Sequence, residues 1–461
     1  MANTISITSP IDGSIVAERP MATEKDIAEA LQAAKIVQHS WQNTSISDRA
    51  AFCHQAIDHL LAHSDDISRE ITLQMGRPIK YSPGELRGLE ERGRYMIDIA
   101  EQELSDIPVS SNHLHRFIRR TPLGTVLTIA PWNYPYLTAV NTIIPALMAG
   151  NTVLLKHSMQ TLLCAERFQQ AFDYAGLAKG VFQSLFVDHA GTAALVKSDE
   201  VDFISFTGSV TGGIKIERTA AGLFKGVALE LGGKDPAYVR EDANIDHAVE
   251  NIVDGAYFNS GQSCCGIERV YVHQSQYEHF VEQFITLVKQ YKLGNPLEAD
   301  TTLGPMINTN AADRVRDQIN KACAAGAKAC IDTSTFPQAK NNSPYLAPQV
   351  LIDVSHDMAV MQEESFGPVV GIMSVSDDQQ AIEFMNDSRY GLTASIWTAD
   401  MDTATAIGDE INTGTVFMNR CDYLDPALAW VGTKDSGRGC SLSVLGYAQL
   451  TRPKSFHLKT I

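Results

Sequence analysis

The 461-residue sequence predicts an α/β fold, a doubly wound parallel sheet followed by a second α/β region. Three observations carry that expectation. From about residue 115, short β-rich runs alternate with helical stretches, the pattern of a parallel sheet covered by helices. Five of these runs, 126–130, 152–156, 183–187, 203–206 and 227–230, suit the strands of a nucleotide-binding sheet, whose ligands bind beyond the carboxyl ends of the strands. The alternation then resumes from Gly232 to about Arg420, with no internal repeat, low-complexity tract or long linker.

The length allows about three domains or fewer, each able to bury its own core. A hydrophobic fraction of 44% with 20% charged residues is that of a globular chain. The net charge of −17 argues against nucleic acid and anionic membrane surfaces and favours a small soluble substrate. The longest apolar stretch, 143–155, is broken by Pro145, Gly150 and Asn151 and falls short of the roughly 18 residues that span a bilayer. Residues 1–10 lack the basic and apolar regions of a secretory leader, so the expected compartment is the cytoplasm. Eight cysteines, at 53, 164, 264, 265, 323, 330, 421 and 440, have neither disulfide-framework density nor zinc spacing. Most are expected to be buried apolar fillers, and no metal site is expected.

Along the chain, Thr23-x-x-Asp26 opens a helix to Trp41 with Ile27, Ala30, Leu31, Ala34 and Val37 on one face. Helical patterns continue through 47–75 and 84–104. The dense Glu and Arg of the latter read as a solvated face without a function. Residues 336–348, rich in Pro and Asn, read as a loop.

No Gly-x-Gly-x-x-Gly occurs, and Gly232-Gly233-Lys234 is followed by Asp235, which spoils a P-loop. Phe206-Thr-Gly-Ser209, with Gly212 and Gly213, fits either a tight strand-to-helix turn or a phosphate cradle at a helix N-terminus. Small and polar residues in Phe258-Asn-Ser-Gly-Gln-Ser-Cys264-Cys265 would give a thiolate access and donors; a buried structural cysteine or a vicinal disulfide are the alternatives. Glu230 ends an apolar strand, where burial raises a carboxyl toward a usable base, unless it is a capped, ion-paired carboxylate. Asn133, in Pro131-Trp-Asn-Tyr-Pro135, either aims an amide at a developing oxyanion or belongs to a proline turn.

Taken in order with Leu229-Glu-Leu-Gly-Gly-Lys234 and Glu363-Glu-Ser-Phe-Gly-Pro368, these motifs resemble the aldehyde dehydrogenase superfamily over nearly the whole chain. Leu303-Gly-Pro305, Asn386, Tyr390-Gly-Leu392, Gly414-Thr-Val416, Asn419 and Lys434-Asp-Ser-Gly437 extend the likeness. The resemblance implies NAD- or NADP-dependent oxidation of an aldehyde to a carboxylic acid through a cysteine thiohemiacetal and thioester. It implies Cys264 as nucleophile, Glu230 as general base, Asn133 with the Cys264 backbone N–H as oxyanion donors, and no catalytic role for Cys265. By the same matching Lys156 meets the adenosine ribose, Ser209 the pyrophosphate and Glu364 the nicotinamide ribose, with Phe366 beside it. Trp132 and Gly208 would line the cleft, and Ser158, Met159, Gly213 and Leu231 complete the cofactor set.

The family fold implies an NAD(P)-binding domain over 1–105 and 121–231, a catalytic domain over 232–425 and a small β oligomerisation element over 106–120 and 445–461. A terminal strand with an open edge favours pairing with another subunit, so a homodimer or homotetramer is expected. Three departures stand out: His157 and Met159 replace a usual proline and glutamate, Ser441 replaces a glutamate, and Ala429-Trp-Val-Gly432 replaces Pro-Phe-Gly-Gly. Met159 removes a carboxylate that would repel a 2′-phosphate, and Lys156, Ser158 and a protonated His157 could meet one, so NADP is expected alongside or ahead of NAD. Ser441 leaves Glu230 without a second carboxylate to relay its proton.

A cysteine esterase would leave the dinucleotide features unexplained, an acylating enzyme would not need Glu230, and a non-catalytic scaffold would not need Cys264, Glu230 and Asn133 together. Semialdehyde-type relatives carry an arginine near Asn141; no basic residue lies between Trp132 and Lys156, so a carboxylate-bearing aldehyde is not favoured, though that subgroup stays open. Tyr134, Tyr136, Leu137 and the loop 421–426 are expected to line an apolar entrance.

Overall fold

Thr23 shows why the first half of the chain folds as it does. Its hydroxyl accepts from the Asp26 N–H while the Asp26 carboxylate accepts from the Thr23 N–H, the reciprocal cap implied by Thr-x-x-Asp. The computed structural model describes residues 4–109 and 114–460; within the expected oligomerisation element, 110–113 and Ile461 lie outside the described residues. A hairpin of β1 (Thr4–Thr8) and β2 (Ile15–Pro20) precedes α1 (Glu24–Trp41), α2 (Ile46–Ala62), α3 (Ser64–Met75) and α4 (Pro83–Asp98). The stretch 47–75 is thus two helices, because His63 leaves helical geometry between them.

Strands β3 (Ile107–Pro108) and β4 (His115–Pro122) lead into alternating elements. These are β5 (Thr125–Ala130), α5 (Pro135–Met148), β6 (Thr152–His157), α6 (Leu162–Tyr174), β7 (Phe182–Ser184), α7 (His189–Lys197), β8 (Phe203–Thr207), α8 (Val210–Ala220) and β9 (Gly226–Glu230). The five strands β5 to β9 form a parallel sheet in the order β9-β8-β5-β6-β7. Every residue of β5 and β6 is buried, as expected of central parallel strands covered on both faces. Leu127, Ile129 and Leu154 pack with Leu31, Leu195 and Ile216, while Val126, Val153 and Leu155 pack with Ile143 and Phe168. Burial contributes about 1.5–3 kcal/mol for each such side chain. The expected strand 183–187 stops early: the Phe186 carbonyl accepts from the Ala22 N–H (2.8 Å) instead of joining the ladder.

The chain continues through β10 (Asp235–Val239), α9 (Ile245–Tyr257), β11 (Ile267–His273), α10 (Tyr277–Val288), α11 (Thr309–Ala324), β12 (Lys328–Ala329), β13 (Gln349–Ile352), β14 (Val369–Val375), α12 (Asp378–Asn386), β15 (Thr393–Trp397), α13 (Met401–Glu410) and β16 (Thr415–Met418). This second sheet has the order β12-β13-β14-β11-β10-β15-β16, parallel except for β12. The chain then returns: β17 (Gly437–Arg438) lies antiparallel on β9, with Gly437 opposite Glu230. Finally β18 (Thr451–Leu458) pairs along its length with β4, making a separate sheet β18-β4-β3. None of the described helices is long and apolar enough to cross a membrane.

Two expectations need correcting. Only Cys53, Cys164 and Cys265 are buried; Cys264, Cys330, Cys421 and Cys440 are half-buried and Cys323 is exposed, so apolar filling does not account for most of them. The segment 84–104 keeps a solvated face with Arg87, Glu91, Asp98 and Glu101 exposed, but Glu85 and Arg92 do not belong to it. Glu85, Leu86, Leu89, Arg92, Gly93 and Met96 form the buried stripe of α4, which packs against α5.

Candidate active site

Parallel order places the site. The chain turns to opposite sides of β5 at β6 and β8, so the loops after β5 and β8 flank a crevice at their carboxyl ends. Two cavities open there, of about 360 and about 280 Å³, and both have Thr138, Thr207, Glu230, Leu231 and Cys264 in their walls. The thiol and the carboxylate therefore stand where one cavity meets the other.

The loop carrying Cys264 is forced into shape. Asn259, Ser260 and Gly261 have φ of 53°, 58° and 69°, and left-handed backbone costs about 1–3 kcal/mol at each non-glycine position. Side chains hold it there: Asn259 Nδ2 donates to the carbonyls of Asn133 and Gln262 (both 3.2 Å), Ser260 Oγ donates to the Gly304 carbonyl (2.9 Å), and the Ile307 N–H donates to Gln262 Oε1 (2.8 Å). Asn133 is buried on the β5 loop, its Nδ2 donating to the Gln262 carbonyl at 3.2 Å, so the amide lies beside the cysteine loop. A Cβ at Gly233 would sit 2.3 Å from the Cys264 carbonyl, so the glycine lets the segment after Glu230 approach the Cys264 backbone.

Glu230, at the end of β9, accepts from Thr207 Oγ1 (3.2 Å) and from Ser441 Oγ. Burial raises its carboxyl above the ordinary glutamate value, and the two hydroxyls oppose the shift. The hydroxyl of Ser441 thus stands at the carboxylate itself. Cys265 also lines the larger cavity, but it is buried, its Sγ donates to Asp422 Oδ1 at 2.9 Å, and its thiol is pushed up by its hydrogen bond with Cys264 and then by burial. Beneath the site, Arg77 pairs with Glu85 and donates to the Asn133 carbonyl and to Asn259 Oδ1 (3.2 Å). Glu85 in turn accepts from the backbone N–H groups of Tyr136 (2.9 Å) and Leu137 (3.0 Å) at the start of α5.

The smaller cavity gathers most of the expected cofactor residues. Trp132, Gly208, Ser209, Glu364 and Phe366 line it, with the Trp132 and Phe366 rings edge to face at 5.7 Å. A Cβ at Gly208 would sit 2.8 Å from the Phe206 ring, and Ser209 caps α8, accepting from Gly212 N–H at 3.2 Å. Gly213 is buried and lets Leu231 pack on α8: a Cβ there would come within 2.7 Å of the leucine. Glu364 accepts from the Gly233 N–H (3.1 Å), and burial, then repulsion from Glu268, pushes its carboxyl up to about 7. Glu268 sets the turn, accepting from Lys234 Nζ (2.6 Å) and from the N–H groups of Ser365 (2.7 Å) and Phe366 (2.8 Å). A half-buried carboxylate with a single backbone donor, beside a glycine-cleared helix start, fits the hydroxyls and phosphates of NAD or NADP.

Lys156, Ser158 and Met159 gather at the carboxyl end of β6, outside the walls of both cavities. Burial lowers the Lys156 ammonium below its ordinary value. His157 cannot add charge as expected: it is buried, hydrogen-bonded to the Pro135 carbonyl (3.0 Å), and pushed down to about 4. Ser158 caps the turn of Met159–Thr161, and Met159 packs on the cluster of Ile5, Ile7 and Leu162.

The larger cavity is lined by Tyr134, Leu137, Tyr423 and Leu424, as expected of the entrance, but not by Tyr136, which is buried against Phe168 (ring centroids 5.3 Å). The sequence reading missed Arg92, which shares this wall with Asn141, and Arg314, which lines the smaller cavity. Burial pulls the Arg92 guanidinium below its ordinary value, and Glu85 pulls the other way. The signal for Arg92 was present: Glu85 and Arg92 are seven residues apart, on the helical stripe of Leu86, Leu89 and Met96.

A family model described as "Aldehyde dehydrogenase family" matches residues 1–456. An NAD(P)+ succinate semialdehyde dehydrogenase of Escherichia coli is 33% identical over 438 residues, 95% of this chain and 94% of that one. The crystal structure of a succinic semialdehyde dehydrogenase from Streptococcus pyogenes in complex with NADP+ superposes with a TM-score of 0.94 at 27% identity, covering 99% of this chain and 100% of that one. A betaine aldehyde dehydrogenase from Staphylococcus aureus in complex with NAD+ gives 0.93 at 29% identity, covering 99% and 92%.

Proposed function

The chain belongs to the aldehyde dehydrogenase family, NAD(P)-dependent enzymes that oxidise aldehydes to acids, and on that premise we propose the parts its own residues play. The observation that carries the reading is the meeting of two cavities at Cys264 and Glu230. Cys264 is the nucleophile: its thiolate adds to the aldehyde carbon and the carbonyl electron pair moves to oxygen. Asn133 Nδ2 and the Cys264 N–H hold that oxyanion, each preorganised donor being worth about 2.7–4 kcal/mol. Nicotinamide supplies the hydride acceptor. Glu230 then takes the proton of the water that opens the thioester, kept in place by Thr207 and Ser441. Its raised carboxyl suits that work better than an ordinary glutamate would. Glu364, Trp132, Phe366, Gly208 and Ser209 would hold the dinucleotide in the smaller cavity, with Leu231, packed on Gly213, in its wall, and Lys156, Ser158 and Met159, which lie outside that wall, would meet the adenosine. A plain cysteine hydrolase would have no use for that cavity.

The larger cavity is at the small end of ligand pockets, so the substrate is a short aldehyde. Relatives named for succinate semialdehyde bring a carboxylate-bearing aldehyde among the candidates. We place a homo-oligomer contact at the sheet β18-β4-β3. The test is a pair of variants: Cys264→Ala loses aldehyde oxidation and iodoacetamide labelling at that peptide, while Cys265→Ala keeps most activity. The reverse result moves the nucleophile by one residue. Glu230→Gln gives a burst of reduced cofactor with little turnover; undiminished turnover removes Glu230 from deacylation.

A further inference from the structure

Every acidic side chain around the larger cavity has a partner. Glu85 is held by Arg77 and two backbone N–H groups, Glu91 accepts from the Tyr423 hydroxyl (2.6 Å), Asp422 accepts from Cys265 (2.9 Å), and Glu230 accepts from Thr207 and Ser441. Arg92 is different. It is only 8% exposed, and among the described residues no carboxylate lies within 4 Å of its guanidinium. One nitrogen donates to the Leu137 carbonyl (3.0 Å) and, at 3.5 Å, to Asn141 Oδ1. A guanidinium has five N–H donors, so most of its fork is left for the cavity whose wall it forms with Cys264. Asn141 is also buried in that wall, and its amide nitrogen has no partner among the described residues.

A buried cation without a counter-ion is costly, by several kcal/mol after relaxation, unless something arrives to pair with it. We propose that Arg92, assisted by the Asn141 amide, receives a carboxylate at the far end of the aldehyde substrate, making this enzyme selective for short ω-carboxy aldehydes. The fork of a guanidinium matches the two oxygens of a carboxylate. Of the three arginines in that wall, Arg77 is paired with Glu85 and Arg87 is exposed, which leaves Arg92 as its one buried guanidinium without a carboxylate among the described residues, suited to a monoanion rather than a phosphate dianion. The arginine reaches the pocket from α4, so the absence of a basic residue between Trp132 and Lys156 on α5 does not leave the pocket without one. The assignment rests on the reading of Cys264 as the oxidising nucleophile.

Steady-state kinetics with succinate semialdehyde, butanal and glyceraldehyde 3-phosphate test it. The wild type is expected to favour succinate semialdehyde over butanal in kcat/KM, and Arg92→Leu to lower that ratio about 30-fold, within the range of charged hydrogen bonds to one partner. Arg92→Lys should lower it less. A ratio near one, a ratio unchanged in Arg92→Leu, or a preference for the phosphate-bearing aldehyde overturns the proposal. Should Arg92→Leu fail to fold, the wild type still decides: succinate should compete against butanal at least about tenfold better than succinamide, and equal inhibition refutes the carboxylate site. Oxidation of butanal with indifference to the carboxylate sinks Arg92 alone. Oxidation of no aldehyde with either cofactor sinks the Cys264 reading as well.

Discussion

Glu364 accepts one hydrogen bond and is pushed up to about 7, first by burial and second by Glu268. In the unfolded chain it ionises near the ordinary glutamate value of 4.5. A folded value above the unfolded one means that this carboxyl favours the fold below about 4.5, weakens it progressively as pH rises, and weakens it in full above about 7. Replacing it by a neutral isostere that keeps the Gly233 contact removes the penalty. Glu364→Gln is therefore expected to raise the unfolding temperature by about 2 °C at pH 8 and to leave it unmoved near pH 4.5. Differential scanning calorimetry at the two values checks it, and an equal shift at both shows that ionisation is not the cause. The same variant should raise the KM for cofactor, because the ribose hydroxyls lose a charged acceptor. Stability is thus given up at Glu364 in the wall of the smaller cavity, as it also is at left-handed Asn259 and Ser260 in the cysteine loop.

If the turn after β6 meets the adenosine ribose, as the family resemblance implies, it should set the choice between cofactors. Met159 brings no charge to it, Ser158 spends its hydroxyl as a cap, and Lys156 supplies the one cation of the three. Met159→Glu should lower the ratio of kcat/KM for NADP to that for NAD by at least about tenfold, equivalent to about 1.4 kcal/mol. Met159→Gln, with similar bulk and no charge, separates repulsion from lost packing, and strict NAD dependence of the wild type refutes the premise. Much at this scale could be read from sequence because the cause was local. Thr23 and Asp26 cap α1, runs of buried aliphatics make β5 and β6, and glycines clear the starts of α8 and the Glu230 loop. The reading failed where tertiary contacts decide. Glu and Arg on α4 look like a solvated face until Arg77, 8 residues before Glu85, reaches back to pair with it. Tyr136 follows Tyr134 by two positions, yet α5 turns it inward onto Phe168. His157 sits beside Lys156 but is buried at the sheet, where its proton is lost.

Strand β18 closes on β4 within the same chain and, among the described residues, leaves its other edge open, while Ile107, Val109 and Leu458 stand 43%, 40% and 48% exposed on or beside that small sheet. Apolar residues exposed together on a sheet with an unpaired edge suit contact with another copy. Light scattering after size exclusion should give two or four times 50.3 kDa, and Leu458→Arg should shift the mass downward; a wild-type monomer refutes the interface. The larger architecture also decides when the enzyme becomes reactive. The pair Arg77 and Glu85 ties the start of α5, the Asn133 carbonyl and, across 182 residues, the loop of Cys264 into one buried knot. Such long-range contacts close late in folding, after local helices and hairpins have formed. Ser441 arrives later still, on the segment that follows β17. Cys264 is therefore made long before Ser441, whose hydroxyl holds the Glu230 carboxylate in the finished fold.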